Sequence, residues 1–207
     1  LDELLETVLV PETWFFRYPD AYHYLSRYVS TALPHRRAFG KIRILSVPCS
    51  TGEEPYSIAM TLLDSGMSAG QFQIDAADVS ATALEKAQKA RYTQNSFRGT
   101  NAKHPGRYFE KDSGQFQLRP EILRLVRFFH WNVQERPPAG IGPGYDIIFC
   151  RNLFIYFHRP AQKQMISTLK QLLDEDGLLF SGHAEAGPLL SPDFQPIPPM
   201  KAFVHKR

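Results

Sequence analysis

Residues 47–60, VPCSTGEEPYSIAM, run an apolar strand into a loop with one glycine, two adjacent acids and a proline, and then into an amphipathic helix. A glycine loop between strand and helix ordinarily receives a phosphate. The glycine lets the backbone approach a ligand, and the helix start offers free N–H donors that favour an anion. Here Glu53 and Glu54 would repel a pyrophosphate, and both the Walker lysine and the Gly-x-Gly-x-x-Gly pattern are absent. NAD, FAD and ATP are therefore poor candidates. A ligand with an amino group, a sulfonium and no phosphate suits two carboxylates better, and S-adenosylmethionine is the common cofactor of that description. Asp78 supports it, because an acid at the end of the second strand can accept hydrogen bonds from both ribose hydroxyls. The plainer reading is that Glu53 and Glu54 complement a helix dipole and that Asp78 caps the next helix.

Only an open α/β sheet brings these groups together, since its ligands sit beyond the carboxyl ends of the strands. The pattern predicts strands at KIRILSV, FQIDAAD, YDIIFC, GLLFSGH and KAFVHKR. Helices are expected at residues 1–9, from Asp20 to Ala32, from near Glu54, over SATALEKAQKARY with Ser80 as N-cap, and over PAQKQMISTLKQLLDEDG closed by Gly177. Strand and helix alternating at this spacing make βαβ units and a parallel sheet with right-handed crossovers. Between Tyr92 and Pro138 the alternation is interrupted, and RYFEKDSGQFQLR reads as a hairpin turning at Ser113-Gly114, hence a small inserted β unit. The segments that follow strands, PCSTGEE, Asp78, WNVQ and CRN, are the places to look for ligand contacts.

Composition bounds the rest. A chain of 207 residues that is 43% hydrophobic suits one domain with a sizeable core. The net charge of +3 is too mild to argue for nucleic acid or a membrane, and the basic RRAFGKIR reads as a solvated face. No stretch is apolar enough to span a bilayer. Cys49 and Cys150 lack any Cys-x-x-Cys spacing and are read as small buried packing at the ends of neighbouring strands, which fits a reducing cytoplasm. The seven histidines show no metal-ligand spacing, so no metal is expected, and His183 is read as a buried hydrogen-bonding residue. Trp14, Phe15, Phe16 and Tyr18 either stack on an adenine or belong to the core.

ETWFFR at 12–17, STGEEPYSIAM at 50–60, LEKAQKARY at 84–92, CRNLFIYF at 150–157 and LLDEDGLLFSGHAE at 172–185 run over nearly the whole chain. In these motifs and their order the sequence resembles the chemotaxis receptor glutamate O-methyltransferases, the CheR family. The resemblance implies a Rossmann-like, S-adenosylmethionine-dependent methyltransferase fold, with a seven-stranded, mostly parallel sheet, an antiparallel last strand and a small inserted antiparallel β subdomain. It divides the chain into 1–35, helices and a linker left from a helical N-terminal domain, and 36–207, a catalytic domain with its insertion at about 93–128. By the same resemblance Thr13, Arg17, Glu54, Asp78, Asn132, Val133, Arg151 and Asn152 join Gly52 around the cofactor, and Arg17 and Tyr156 face the substrate glutamate.

The implied reaction is transfer of a methyl group to receptor glutamates, giving a methyl ester and S-adenosylhomocysteine. A glutamate with an ordinary pKa near 4.3 is already an ionised nucleophile at neutral pH. The site then needs no general base; it must orient the carboxylate, with Arg17 making a single-point contact and the Tyr156 hydroxyl setting the angle. Two departures stand out. Pro11 replaces an asparagine that contacts the cofactor in many relatives. The short turn KDSGQ replaces a longer, glycine-rich loop, which implies no tether to a receptor's C-terminal pentapeptide. The expected partner is the cytoplasmic domain of a methyl-accepting chemoreceptor, with no nucleic acid and no direct membrane insertion. Two rivals remain open. A nucleic-acid base methyltransferase lacks a basic stripe here; a non-catalytic module that senses cofactor or binds a receptor array is disfavoured by Arg17 and Tyr156.

Overall fold

The computed structural model describes residues 12–31, 40–99, 105–182, 185, 194–197 and 204–207. The helix expected at 1–9, Pro11, the first half of RRAFGKIR, His183 and the start of KAFVHKR lie outside the described residues. Three largely buried strands form the centre of the sheet: β1 (Ile42–Ser46), β2 (Phe72–Asp78) and β7 (Tyr145–Cys150). Side chains alternate along a strand, and here both faces are covered. Ile44, Ile147 and Phe149 point into one core cluster, with Phe15, Tyr22, Leu25 and Phe180. Leu45, Ile148 and Cys150 point into the other, with Met165, Leu169 and Leu172. Phe149 stacks on Phe180 with ring centroids 4.2 Å apart.

The first face is covered by α1 (Pro19–Thr31) and α2 (Glu53–Asp64), and the second by α4 (Arg159–Leu172); α3 (Ala81–Lys89) follows β2. Ser80 caps α3 as expected, its hydroxyl accepting from Ala83 N at 2.9 Å. With β6 (Val126–His130), β8 (Leu173–Ser181), β9 (Gln195–Pro196) and β10 (Val204–Lys206), the sheet has seven strands in the order β6-β2-β1-β7-β8-β10-β9. The first five are parallel; β10 is the expected antiparallel strand, and β9 pairs antiparallel beyond it. The chain runs outward from β1 through β2 to β6 and then returns to β7 on the other side of β1. That reversal opens a crevice beyond β1 and β7, where such sheets bind ligands.

The inserted unit is a three-stranded antiparallel sheet of β3 (Arg91–Tyr92), β4 (Phe109–Asp112) and β5 (Gln115–Leu118), in the order β3-β5-β4. The β4–β5 turn is Ser113-Gly114, with φ of 49° and 81°, the sign pattern that matches strand twist in two-residue hairpins.

Several elements differ from the sequence expectation. The helix over SATALEKAQKARY ends at Lys89, and Arg91 and Tyr92 form β3 of the inserted sheet. Arg107 and Tyr108, expected to open the hairpin, are helical, and β6 lies inside the stretch where the alternation is expected to be interrupted. The helix over PAQKQMISTLKQLL ends at Leu172, and the DEDG that follows belongs to β8. Leu173 pairs with Tyr145, and a register shift before Ile147 takes up the extra residues. A Cβ on Gly177 would lie 2.6 Å from Leu173 Cγ. This glycine therefore serves a bulged strand and not a helix end.

Gly52 has φ +93°, and a Cβ there would meet Ala87 Cβ at 2.9 Å, Tyr56 Cε2 at 3.0 Å and the Tyr92 hydroxyl at 3.0 Å. Gly52→Ala is expected to lower stability by about 2–3 kcal/mol, read as a shift of the urea midpoint at constant slope.

Candidate active site

The loop after β1 is stitched to the end of β2. Cys49 N donates to Ala77 O, Ser50 N to the Asp78 carboxylate at 2.7 Å, and Gly52 N to Cys49 O. Asp78 also accepts from Ser80 N at 2.9 Å, and its carbonyl receives Trp131 N from the end of β6. The carboxylate thus ties the first loop to the start of α3, while the cap of that helix, which the plainer sequence reading gave to Asp78, is Ser80. Gly52 faces Ala87, Tyr56 and Tyr92 on the side where its Cβ is missing, so packing within the protein already demands a glycine here.

The two adjacent acids have separate surroundings. Glu53 is buried and accepts from the Thr51 hydroxyl at 2.6 Å and the Ser96 hydroxyl at 3.0 Å, tying α2 to the inserted unit. Glu54 accepts from the Ser46 hydroxyl at 2.8 Å and from Arg151 at 3.1 Å. Burial pushes both carboxyls above the usual range, and Arg151 pulls Glu54 back toward it. Arg151, whose side chain is 4% exposed, also donates to the Arg17 carbonyl at 2.8 Å and lies 5.0 Å from the Tyr18 ring.

The 12–18 segment is held along its length. Phe15 N bonds Ser96 O and Phe16 N bonds the Ser57 hydroxyl. Phe15 is fully buried against Tyr92, Phe97 and Phe109, so the core reading holds for it. The guanidinium groups of Arg17 and Arg98 lie 4.4 and 4.7 Å from the centroid of the Trp14 ring. Arg17 donates to Glu12 O, and its buried Nε has no acceptor among the described residues.

Thr13 sits half-buried in this same segment. Asn132 contacts its own loop, accepting from Gln134 N and donating to Glu135 at 3.4 Å. Val133 buries its side chain in the second core cluster, so only its main chain can face the crevice. Asn152 is left-handed, with φ 59°. Tyr156 is 72% exposed at the rim. The structure therefore brings Arg17, Glu54 and Arg151 into one connected group, joins Gly52 and Asp78 through the first loop, and leaves Asn132 and Tyr156 at the margins.

Glu185 has no role in the sequence reading. It is fully buried, and its carboxylate accepts the N–H groups of Asn152, Phe154 and Gly182, each at 2.7 Å. It fixes the loop after β7 that carries Arg151, Asn152 and Tyr156. The motif SGHAE held the signal, but one carboxylate in a loop does not announce three backbone partners. Cys49 and Cys150 are buried, and burial raises both thiols well above their ordinary range. Among the described residues no three His, Cys, Asp or Glu side chains cluster to hold a metal, and no helix is long and apolar enough to cross a membrane.

The residues present fit S-adenosylmethionine. Carboxylates stand beyond the end of β1 and at the end of β2, where a dinucleotide fold would hold phosphate, and the buried Arg17 Nε–H has no acceptor among the described residues. The chain is a Rossmann-like domain of the S-adenosylmethionine-binding methyltransferase class. More narrowly, it belongs to the CheR family: the profile described as "CheR methyltransferase, SAM binding domain" matches residues 11–201. It is 47% identical over 205 residues to the "Probable biofilm formation methyltransferase WspC" of Pseudomonas aeruginosa, covering 99% of this chain and 48% of that one. It is 39% identical over 155 residues to the "Chemotaxis protein methyltransferase" of Salmonella typhimurium, covering 72% of this chain and 54% of that one. The chain thus spans about half the length of these relatives. Among solved structures, the DszA carbon methyltransferase aligns at 17% identity with a TM-score of 0.49, over 74% of this chain and 31% of its own.

Glu185→Ala leaves three N–H groups without an acceptor and is expected to cost at least about 3 kcal/mol in urea unfolding, with Glu185→Gln intermediate. Glu53 gives a pH signature. Its folded pKa is raised, so the native state keeps a proton that the unfolded chain has lost. Stability then falls as pH climbs from about 4.3 to the raised value, and the penalty stays in full above it. Glu53→Gln should flatten that fall in denaturation curves measured across acidic to neutral pH.

Proposed function

We propose that the protein transfers the methyl group of S-adenosylmethionine to glutamate side chains of a chemoreceptor-like protein, leaving glutamate 5-O-methyl ester and S-adenosylhomocysteine. The observation that carries this reading is Arg17. Its carbonyl is bound by Arg151, its half-buried guanidinium lies over the Trp14 and Tyr18 rings within electrostatic reach of Glu54, and it pairs with no carboxylate among the described residues. Membership of the CheR family supports the substrate class.

In this reading Glu54 takes the cofactor's amino group and Asp78 its ribose hydroxyls, with Thr13, Gly52, Asn132, Asn152, Arg151 and the Val133 main chain around them. When bound, the cofactor supplies a methyl carbon made electrophilic by a sulfonium. The protein's remaining task is to orient an acceptor that is already ionised at neutral pH, which is proximity catalysis without a general base. Arg17 holds that carboxylate through one guanidinium edge, because a two-pronged clamp would dull both oxygens. The exposed Tyr156 hydroxyl limits its angle of approach.

The partner in this reading is the cytoplasmic domain of a methyl-accepting receptor, which places the protein in the cytoplasm. The name of the WspC relative points to a receptor system concerned with biofilm formation. The two-residue turn between β4 and β5 supports recognition without a C-terminal pentapeptide tether.

Calorimetry with S-adenosylhomocysteine should show saturable binding, weakened at least about tenfold by Glu54→Ala and by Asp78→Ala. With methyl-labelled S-adenosylmethionine and receptor cytoplasmic fragments, label should appear on the receptor and leave as methanol in base. Arg17→Ala should lower kcat by about 100-fold or more while costing far less in S-adenosylhomocysteine affinity. An unchanged rate rejects its role, and cofactor binding without methylation of any receptor would revive the binding-module reading.

A further inference from the structure

The loop after β7 does more than carry Arg151 and Asn152 to the crevice. Among the described residues the exposed large apolar side chains are Ile155 and Tyr156, at 51% and 72%. The backbone beneath them has no freedom to fold them away. Glu185 holds Asn152 N and Phe154 N, and the Gln162 amide donates to both Phe154 O and Phe157 O at 2.9 Å. Because Gln162 lies in the first turns of α4, the loop tip and that helix start move as one body. Rigidly presented apolar surface of this kind marks an interaction site.

The helix beside it is cationic. Exposed Arg159 and Lys163 stand four residues apart, on one face, with exposed His158 before them. Arg159 opens the helix, where the helix dipole favours acids, yet α4 contains no acidic residue. Neither Arg159 nor Lys163 forms an ion pair among the described residues. Local stability does not explain these charges.

We infer that Ile155, Tyr156, Arg159 and Lys163 form the docking surface for a segment of the protein substrate that carries carboxylates beside an apolar side chain. The inference rests on the proposed function and adds where the substrate is gripped outside the crevice. The apolar tip gives contact area next to the acceptor glutamate, and the two cations attract the acids that flank it. Charge complementarity of this kind acts mainly through encounter rate and salt dependence.

The test uses the receptor cytoplasmic fragment that the wild-type protein methylates, with affinity measured by fluorescence anisotropy without cofactor and methylation measured with it. The double variant Arg159→Glu/Lys163→Glu should raise KM and the dissociation constant for the fragment about tenfold or more, with kcat and S-adenosylhomocysteine affinity within about twofold. The salt dependence of fragment binding should largely vanish in that variant. Ile155→Ser should weaken fragment binding several-fold while leaving the salt dependence intact, which separates the apolar contribution from the ionic one. Unchanged fragment affinity and KM in both variants overturn the docking surface and leave the proposed activity standing. A wild-type protein that binds S-adenosylhomocysteine but methylates no receptor fragment overturns both.

Discussion

The buried guanidinium of Arg151 is the constraint on which the site is built. One of its nitrogens meets Glu54 at the start of α2 and another meets the carbonyl of Arg17. Three stretches far apart in sequence, the 12–18 segment, the β1–α2 loop and the end of β7, are registered by this one side chain. Taking two charges out of water gives back little net stability, so such a pair is poorly explained as a stabilising device. Its effect is geometric: an arginine buried among these partners admits one arrangement, since any displacement would leave a charge without its counterpart. The main chain at Arg17 is fixed because its own carbonyl is held by that guanidinium.

That registration is bought with backbone strain, which is concentrated around the crevice. Phe16, Tyr18, Ser50 and Asn152 all have positive φ, four of the seven such non-glycine residues described. Each costs on the order of 1–3 kcal/mol and persists only where its neighbours over-determine it. The neighbours are identifiable: Ser57 and Ser96 for the 12–18 segment, Asp78 for Ser50, Glu185 for Asn152. Three of the buried carboxylates near the crevice, Glu53, Asp78 and Glu185, therefore spend at least part of their hydrogen-bonding capacity on the protein's own chain. Preorganisation is what the proposed methyl transfer requires, because without acid–base chemistry its barrier is lowered chiefly by holding the reacting atoms in place.

Much of this was legible before the fold was known. FQIDAAD and YDIIFC became strands with unchanged bounds because short, predominantly apolar segments between turn signals suit strands buried on both faces, even with Asp75 and Asp146 inside them. The hairpin at Ser113-Gly114 and the cap at Ser80 are local chemistry, decided within a few residues. One misread segment, LDEDG, is local in appearance only. An acidic stretch ending in glycine resembles a helix terminus, but Leu173 is drawn into the sheet by its pairing with Tyr145, a partner the sequence does not place beside it. The same limit hid Glu185 and the separation of Glu53 from Glu54. A sequence shows that two acids adjoin a loop; which one turns toward Ser96 and which toward Arg151 depends on segments that meet only after folding.

The acids in a glycine loop at a helix N-terminus can now be understood one at a time. The N–H groups that open α2 favour negative charge, and the protein supplies that charge itself. Glu53 places it inward, against hydroxyls, where it fastens the inserted unit. Glu54 places it toward the crevice, where burial disfavours the ion and Arg151 favours it. A carboxylate balanced in this way is only partly satisfied by its arginine, since each oxygen can accept more than the one bond it has. An entering phosphate would meet like charge and could not displace it. In the proposed reading an entering ammonium completes the acceptor's shell without removing Arg151 from the Arg17 carbonyl, so the same ion pair that joins these segments also favours a cation.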